Sequence, residues 1–187
     1  PAKIPALLHD RYRHFGGAPG AGLAIVACEL IASVIYHQKN MPWDFYRDLA
    51  RHLWDEARHC MFGQAALEQE GYDWRSRPQF AGDYDLIVPK MVEMRYAWLS
   101  IGIEDAQMKR PGKVAELELC RDTVGHPLMT QFQDYDWADE VNHAAFGRKW
   151  TPEMFDEDLD TIREITVGPV KEYFTQTGLS LKQIVFK

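Results

Sequence analysis

Asp55-Glu56-Ala57-Arg58-His59 and Asp139-Glu140-Val141-Asn142-His143 repeat one pattern, Asp-Glu-x-x-His, once in each half of the chain. Three residues along an α-helix is close to one turn. In each copy a carboxylate and an imidazole therefore leave the same helix face, placed to hold one metal ion. With 13 Glu and 7 His in 187 residues, the short form Glu-x-x-His is expected about 0.5 times by chance, so two copies of it decide little. Requiring Asp before the Glu lowers that expectation to about 0.04, and two copies then arise in roughly one sequence in a thousand of this composition. A helical bundle that holds two metal ions satisfies both copies at once.

The length of 187 residues, with 46% hydrophobic and 26% charged positions, suits one domain with a sizeable core and is short for two. A net charge of −7, with no run of Lys or Arg, argues against a nucleic-acid partner, since phosphate contacts need clustered cations. The most apolar stretch, residues 23–36, is interrupted by Glu29 and too short to cross a bilayer, and no basic-then-apolar leader precedes it. No membrane partner is expected. Cys28, Cys60 and Cys120 form no Cys-x-x-Cys pair, which suits free thiols in a reducing cytoplasm. The chain starts at Pro1 without Met, as a processed product or a segment of a longer protein would.

Residues 1–20 contain a Gly-Gly pair and a Pro-Gly step and read as a lead-in arm with a short helix near 7–14. Residues 21–40 are helical, with Ile25, Cys28, Glu29, Ala32 and Tyr36 at the 3- and 4-residue steps of one face. Glu29 is an acid inside that stripe and needs a partner. Asn40-Met41-Pro42 ends this helix and starts the next, which runs to about Glu70 with Tyr46, Leu49, Leu53, Glu56, Cys60 and Leu67 on its seam and Gly71 as its stop. At ~1.5 Å per residue Glu29 lies about 15 Å before the turn and Glu56 about 21 Å after it, so an antiparallel hairpin brings them near one level.

Residues 72–82 read as a connection, roughly 35–40 Å long when extended, enough to pass from one end of a bundle to the other. A third helix is predicted over about 83–110, with Pro89 in or just before its first turns. Met94, Ala97, Ile101, Glu104 and Met108 share a face, and Glu104 is again an acid in an apolar stripe, with Asp105 its nearest competitor. Residues 113–124 form a helical piece that ends at Gly125-His126-Pro127. A fourth helix follows to Trp150, with Met129, Gln133, Asp136, Glu140, His143, Gly147 and Trp150 alternating by 4 and 3 as a buried seam does. Thr151-Pro152-Glu153 looks like the start of a C-terminal helix to about 166. Gly168-Pro169 then breaks it before a last helical stretch and the tail. No strand-like alternation of useful length appears, so the fold class is all-α.

In chain order the acids and imidazoles are Glu29, then Glu56 with His59, then Glu104, then Glu140 with His143. One helix giving Glu and the next giving Glu-x-x-His, twice over, is the ligand set of di-iron and di-manganese carboxylate bundles. Four such acids in an apolar core would each cost on the order of several kcal/mol unless cations or protons neutralised them.

Over roughly residues 21–150 the sequence resembles the ferritin-like di-iron superfamily. The resemblance implies a ferritin-like four-helix bundle with a duplicated helix-hairpin metal site. It would form a single domain over 1–187, with the core bundle at 21–150, the arm at 1–20, and C-terminal helices and tail at 151–187. It implies that Glu29 and Glu104 are terminal or bridging ligands, that Glu56 and Glu140 bridge, and that His59 and His143 each bind one iron. The Asp-Glu-x-Arg-His form at 55–59 resembles the motif of the oxygen-activating members. There Asp55 would orient His143 and Asp139 would orient His59, fixing the tautomer and raising ligand basicity. Residues 139–150 also resemble the second motif of a largely uncharacterised ferritin-like branch, distantly related to a tRNA-modifying di-iron hydroxylase. Asn142, where the first motif has Arg58, makes the halves inequivalent.

Mixed carboxylate and imidazole donors suit iron, with manganese as the alternative. The resemblance implies an oxidase or oxygenase that activates dioxygen with two Fe ions to oxidise or hydroxylate a small organic substrate. No Gly-rich phosphate loop or Cys cluster is present, so a reductase would be a separate protein. A homodimer is compatible with this reading. The competing functions are an iron-oxidising storage protein in a multimeric shell, and a bundle whose metals are structural only.

Asp136, one turn before Glu140, lines the pocket or makes a polar contact at the bundle end. Cys60, beside His59, abuts a substrate pocket or is simply a small core residue. Tyr36, Trp54, Tyr135 and Trp137 are read as packing. His9, His14, His37, His52 and His126 lack a partner at metal spacing and are read as structural or exposed. Arg148-Lys149 is read as a solvated helix end.

Overall fold

In the computed structural model of the chain the described residues are 19–71, 73, 75, 82–108 and 112–177, and all regular structure among them is helical. The helix expected at 7–14, most of the connection 72–82 and the tail beyond 177 lie outside the described residues. The helices are α1 (Pro19–His37), α2 (Trp43–Gln69), α3 (Gly82–Ile87), α4 (Val92–Ala97), α5 (Gly112–Glu118), α6 (Pro127–Phe155) and α7 (Leu159–Thr177). Two of them widen at their C-terminal ends into π-helix: α4 continues as Trp98–Asp105 and α5 as Leu119–Val124.

Four helical stretches close a ring: α1 packs on α2, α2 on α6, α6 on α4 and its π-helix, and α4 on α1. Inside the ring Ala27, Leu30, Ile31 and Val34 of α1 meet Phe45 and Leu49 of α2, Tyr96, Trp98 and Leu99 of the third stretch, and Trp150 of α6. Burying such side chains is the main favourable term available to the fold, about 1.5–3 kcal/mol each relative to exposure. The α2–α6 contact is fixed at one end by Phe45, whose ring meets that of Trp150 edge-on at 5.5 Å. Asp48 joins it there, accepting from Trp150 Nε1 at 3.0 Å and from Lys149 Nζ at 2.8 Å. Towards the other end Phe62 of α2 stacks on Phe132 of α6 at 4.4 Å. α7 lies across the π-helix, with Ile162 against Ala97 and Ile101.

The turns follow their residues. Asn40 and Gly71 hold positive φ, and α2 begins directly after Pro42. Gly125, also at positive φ, ends the second π-helix, and His126 caps α6 by accepting from the Met129 amide at 3.2 Å.

Three expectations about helices are corrected. The third helix is not one piece over 83–110: Pro89 lies just before the first turn of α4, one of its two expected places, but it also separates α4 from α3, because proline has no amide to continue the ladder. The fourth helix does not stop at Trp150 but runs through Pro152 to Phe155. Arg148, whose carbonyl loses its partner to Pro152, is on an exposed turn, and the Thr151 hydroxyl bonds back to the Gly147 carbonyl at 2.8 Å. Gly168-Pro169 does not break the C-terminal helix, which is continuous to Thr177.

The buried face of α1 is also corrected. Ala24, Val26, Ala27, Leu30, Ile31 and Val34 are buried, whereas Glu29, Ala32 and Tyr36 are exposed. Nearly every residue from 23 to 36 is apolar, so periodicity fixed the helix but not its rotation. The single charge, Glu29, faces out.

Candidate metal centre

One face of α2 supplies most of the site. His52, Asp55, Glu56 and His59 are separated by steps of 3, 1 and 3, so they stack over two turns on the side that faces α6. α6 answers with Asp136, Asp139, Glu140 and His143 at the same spacings of 3, 1 and 3. Glu104 comes from the π-helix, buried, between the two.

His52, Glu56, Glu104 and His143 each offer one ligand atom, and these atoms all lie within 4.8 Å of one another. Glu56, His59 and Glu140 form a second such group. Glu56 belongs to both groups and joins them into one centre. His143 Nδ1 stands 3.4 Å from Glu56, 3.7 Å from Glu140 and 3.9 Å from Glu104. His59 Nδ1 stands 3.4 Å from Glu56 and 3.2 Å from Asp136. His52 Nε2 lies 2.9 Å from Glu104 Oε1, its Nδ1 is 3.4 Å from the Tyr96 hydroxyl, and its ring stacks on His143 at 3.8 Å.

The outer nitrogens of the two motif histidines cross over. His143 Nε2 faces Asp55 Oδ2 at 3.4 Å, and His59 Nε2 faces Asp139 Oδ2 at 3.2 Å. A proton held on Nε2 by the carboxylate leaves the Nδ1 lone pair directed at the cluster, which is the arrangement a metal-binding imidazole needs. Both aspartates are held in turn. Arg51 Nε donates to the two oxygens of Asp55 at 2.9 and 2.7 Å, and Arg58 Nη2 reaches Asp55 and, at 2.7 Å, Asp139. One guanidinium thus serves both aspartates, and Asn142, exposed in the second motif, leaves neither without support.

The charges are strongly coupled. Burial alone would raise the Glu56 carboxyl, but the neighbouring His143 and His59 imidazoles outweigh it and hold Glu56 far below the usual range. Burial likewise works against protonated imidazole. Glu56 and Asp136 nonetheless push His59 up to about 9, and Asp55, Glu140 and Glu56 push His143 up to about 12. Glu140, opposed by burial and favoured by Lys113 and His143, falls to about 2, while burial raises Glu104. In the metal-free chain, protonated imidazoles and a lysine supply the positive charge that the acids require.

Whether a cation fits better than protons can be read from the atoms left over. Glu104 Oε2, Glu140 Oε2 and His143 Nδ1 are buried and have no hydrogen-bond partner. Such atoms cost about 1–3 kcal/mol each when orphaned. The two carboxylate oxygens are Lewis-basic as they stand, His143 Nδ1 becomes so on losing its proton, and all three belong to the two groups, so the buried cluster could hold a metal ion.

Five of the six ligands named from sequence meet here: Glu56, His59, Glu104, Glu140 and His143. Glu29 is not among them, since its side chain is exposed on the outer face of α1. The expected level is right and the rotation is not. Cys28, one residue earlier, faces α2 instead, with its Sγ 3.9 Å from the Leu53 carbonyl and its thiol beside that of Cys60. That contact is the main cause lowering Cys28 and raising Cys60. The sixth member of the cluster is His52, read from sequence as structural or exposed and in fact fully buried. Its signal was present: it precedes Glu56 by four residues, one further turn on the motif face.

Asp105, the competitor of Glu104, points elsewhere, paired with Arg148 and, at 3.3 Å, with Arg163 of α7. The Arg148-Lys149 end therefore pairs with acids on two neighbouring elements rather than with solvent alone. Asp136 takes a place at the edge of the cluster. His126 is buried and lies 3.2 Å from Glu70.

The chain matches no protein-family model, no curated protein and no solved structure.

Proposed function

We propose that the chain holds two iron ions in a ferritin-like bundle and uses them to activate dioxygen for oxidation or hydroxylation of a small organic substrate. The observation that carries the reading is the shared Glu56: two ligand groups meet at one carboxylate, with three orphaned donor atoms among them. His52, Glu56, Glu104 and His143 would hold one ion, and Glu56, His59 and Glu140 the other. Carboxylate and imidazole donors without thiolate suit iron or manganese better than zinc. When bound, a pair of such ions supplies redox equivalents for oxygen chemistry.

The protein's own residues prepare the place. Asp55 and Asp139 keep the Nε2 protons of His143 and His59, so both Nδ1 atoms stay available. Tyr96, almost fully buried and with its hydroxyl 3.4 Å from His52 Nδ1, keeps water from one side. A catalytic cycle as an oxygenase needs two external electrons, and a reductase partner would deliver them.

The test is metal analysis of the full chain, then anaerobic Fe(II) loading and exposure to oxygen followed optically. Close to two equivalents of iron and an oxygen-dependent absorbance change are expected. Glu56→Ala should lose both ions and His52→Ala one, while Glu29→Ala should bind as the wild type does. Less than one equivalent in the wild type, or full binding by Glu56→Ala, would overturn the proposal. Size exclusion separates the storage alternative, because an iron-storing shell elutes as a very large multimer.

A further inference from the structure

The second ligand group already contains a cation of the chain's own. Lys113, in the first turn of α5, is buried, and its Nζ lies 2.6 Å from Asp136 Oδ2, 3.2 Å from Glu140 Oε1 and 3.8 Å from Glu116 Oε2. An ammonium taken out of water must be paired. Here two of its partners sit at the second metal position, Glu140 as a ligand and Asp136 beside His59. No contact of this kind ties Lys113 to His52 or Glu104. The two ligand groups are therefore unequal in number, four residues against three, and unequal in charge, since α5 brings a fixed positive group to the smaller one only.

We propose that Lys113 is a tethered competitor for the second metal ion, so that the two positions fill in order and with unequal strength. The first divalent ion enters the His52, Glu56, Glu104 and His143 group without displacing Lys113. A second ion at Glu56, His59 and Glu140 must share Glu140 with an ammonium 3.2 Å from its Oε1, or wait for that ammonium to leave. Two positive charges that share one carboxylate repel strongly at the effective dielectric of a protein interior. The lysine also gives the half-filled centre a local charge balance without metal, which makes a one-ion form stable in its own right. This rests on the proposed metal centre, and the following experiment separates the two.

The metal-stripped full chain is titrated with Co(II), followed by calorimetry and native mass spectrometry. Wild type should take one ion tightly and the second about tenfold or more weaker. Lys113→Met keeps the stem and removes the charge, so it should strengthen the second step about tenfold and leave the first unchanged, while Lys113→Arg keeps the wild-type pattern. Two equal, tight equivalents in the wild type overturn the inference and leave the metal centre standing. So does a second step that Lys113→Met fails to strengthen. No Co(II) binding by any form overturns both. Should Lys113→Met not fold by circular dichroism, Lys113→Gln and the ratio of the two wild-type steps decide the matter.

Discussion

His59 and His143 carry the pH behaviour of the metal-free chain. Each imidazole is raised above its ordinary 6.5, His59 to about 9 and His143 to about 12, because carboxylates surround it in spite of burial. A base whose folded pKa is raised stabilises the fold fully below its unfolded pKa, and that contribution is lost as pH climbs through the folded value. From pH 6.5 to 9.5 the metal-free chain should therefore lose stability, on the order of 1–3 kcal/mol from His59 alone. A metal ion needs the neutral imidazole, so it competes with these protons and binds better as pH rises. The melting temperature without metal is expected to fall across this window while the increment on adding Mn(II) grows. Thermal melts at both ends of the window check both signs. A metal-free Tm that climbs with pH, or a Mn(II) increment that shrinks, contradicts the assigned coupling.

Between elements the critical contact is α6 on the π-helix, since Glu104 stands on one side of it and Glu140 with His143 on the other. Gly147 makes the close approach possible: a Cβ there would lie 2.7 Å from Ser100 Cβ and Oγ and 3.1 Å from the Ser100 carbonyl. Ser100 is fully buried, and its hydroxyl donates to the Tyr96 carbonyl at 2.8 Å, so it has nowhere to move. Gly147→Ala should cost about 1–3 kcal/mol by overpacking and weaken metal binding with it, because the helices carrying the ligands are forced apart. Gly168→Ala is the control: nothing lies within 4 Å of its Cβ, and alanine is the better helix former, so stability should hold or rise. Equal melting temperatures for Gly147→Ala and the wild type would show that the approach is not tight. The seams of α2 and α6 were legible in sequence because their apolar and acidic residues recur at steps of 3 and 4. α1 was not, since an almost wholly apolar helix has no preferred face until its neighbours choose one. The π-helix was invisible for a related reason: the widened turn is a product of packing, with seven of its eight residues buried, and no residue type announces it. Pro152 and Pro169 misled because a long helix tolerates a missing bond on an exposed turn when packing on either side holds it.

At the scale of the molecule, three helical stretches, α2, the π-helix and α6, gather acids in the middle of a chain whose net charge is already −7. Protons on His59 and His143, with Lys113, neutralise the centre imperfectly and leave Glu104 Oε2, Glu140 Oε2 and His143 Nδ1 without partners. Divalent ions would remove both defects at once and would bind only the folded arrangement, because the donors come from α2, the π-helix and α6, which meet nowhere in the unfolded chain. Stability should then follow mass action. At a free metal concentration a hundredfold above Kd the fold gains about 2.7 kcal/mol. For a domain of this size that corresponds to a Tm increase of about 5–11 °C. Stripping the metal with a chelator should lower Tm by that amount and re-adding Fe(II) or Mn(II) under anaerobic conditions should restore it, whereas the same ionic strength from NaCl should not. Glu56→Ala separates a specific site from general screening, since it removes the shared ligand yet changes the net charge by only one. In that variant Tm should no longer respond to metal. A chelator-treated wild type that melts where the loaded protein does would mean that the acids are satisfied by protons alone and that the centre is not a metal site.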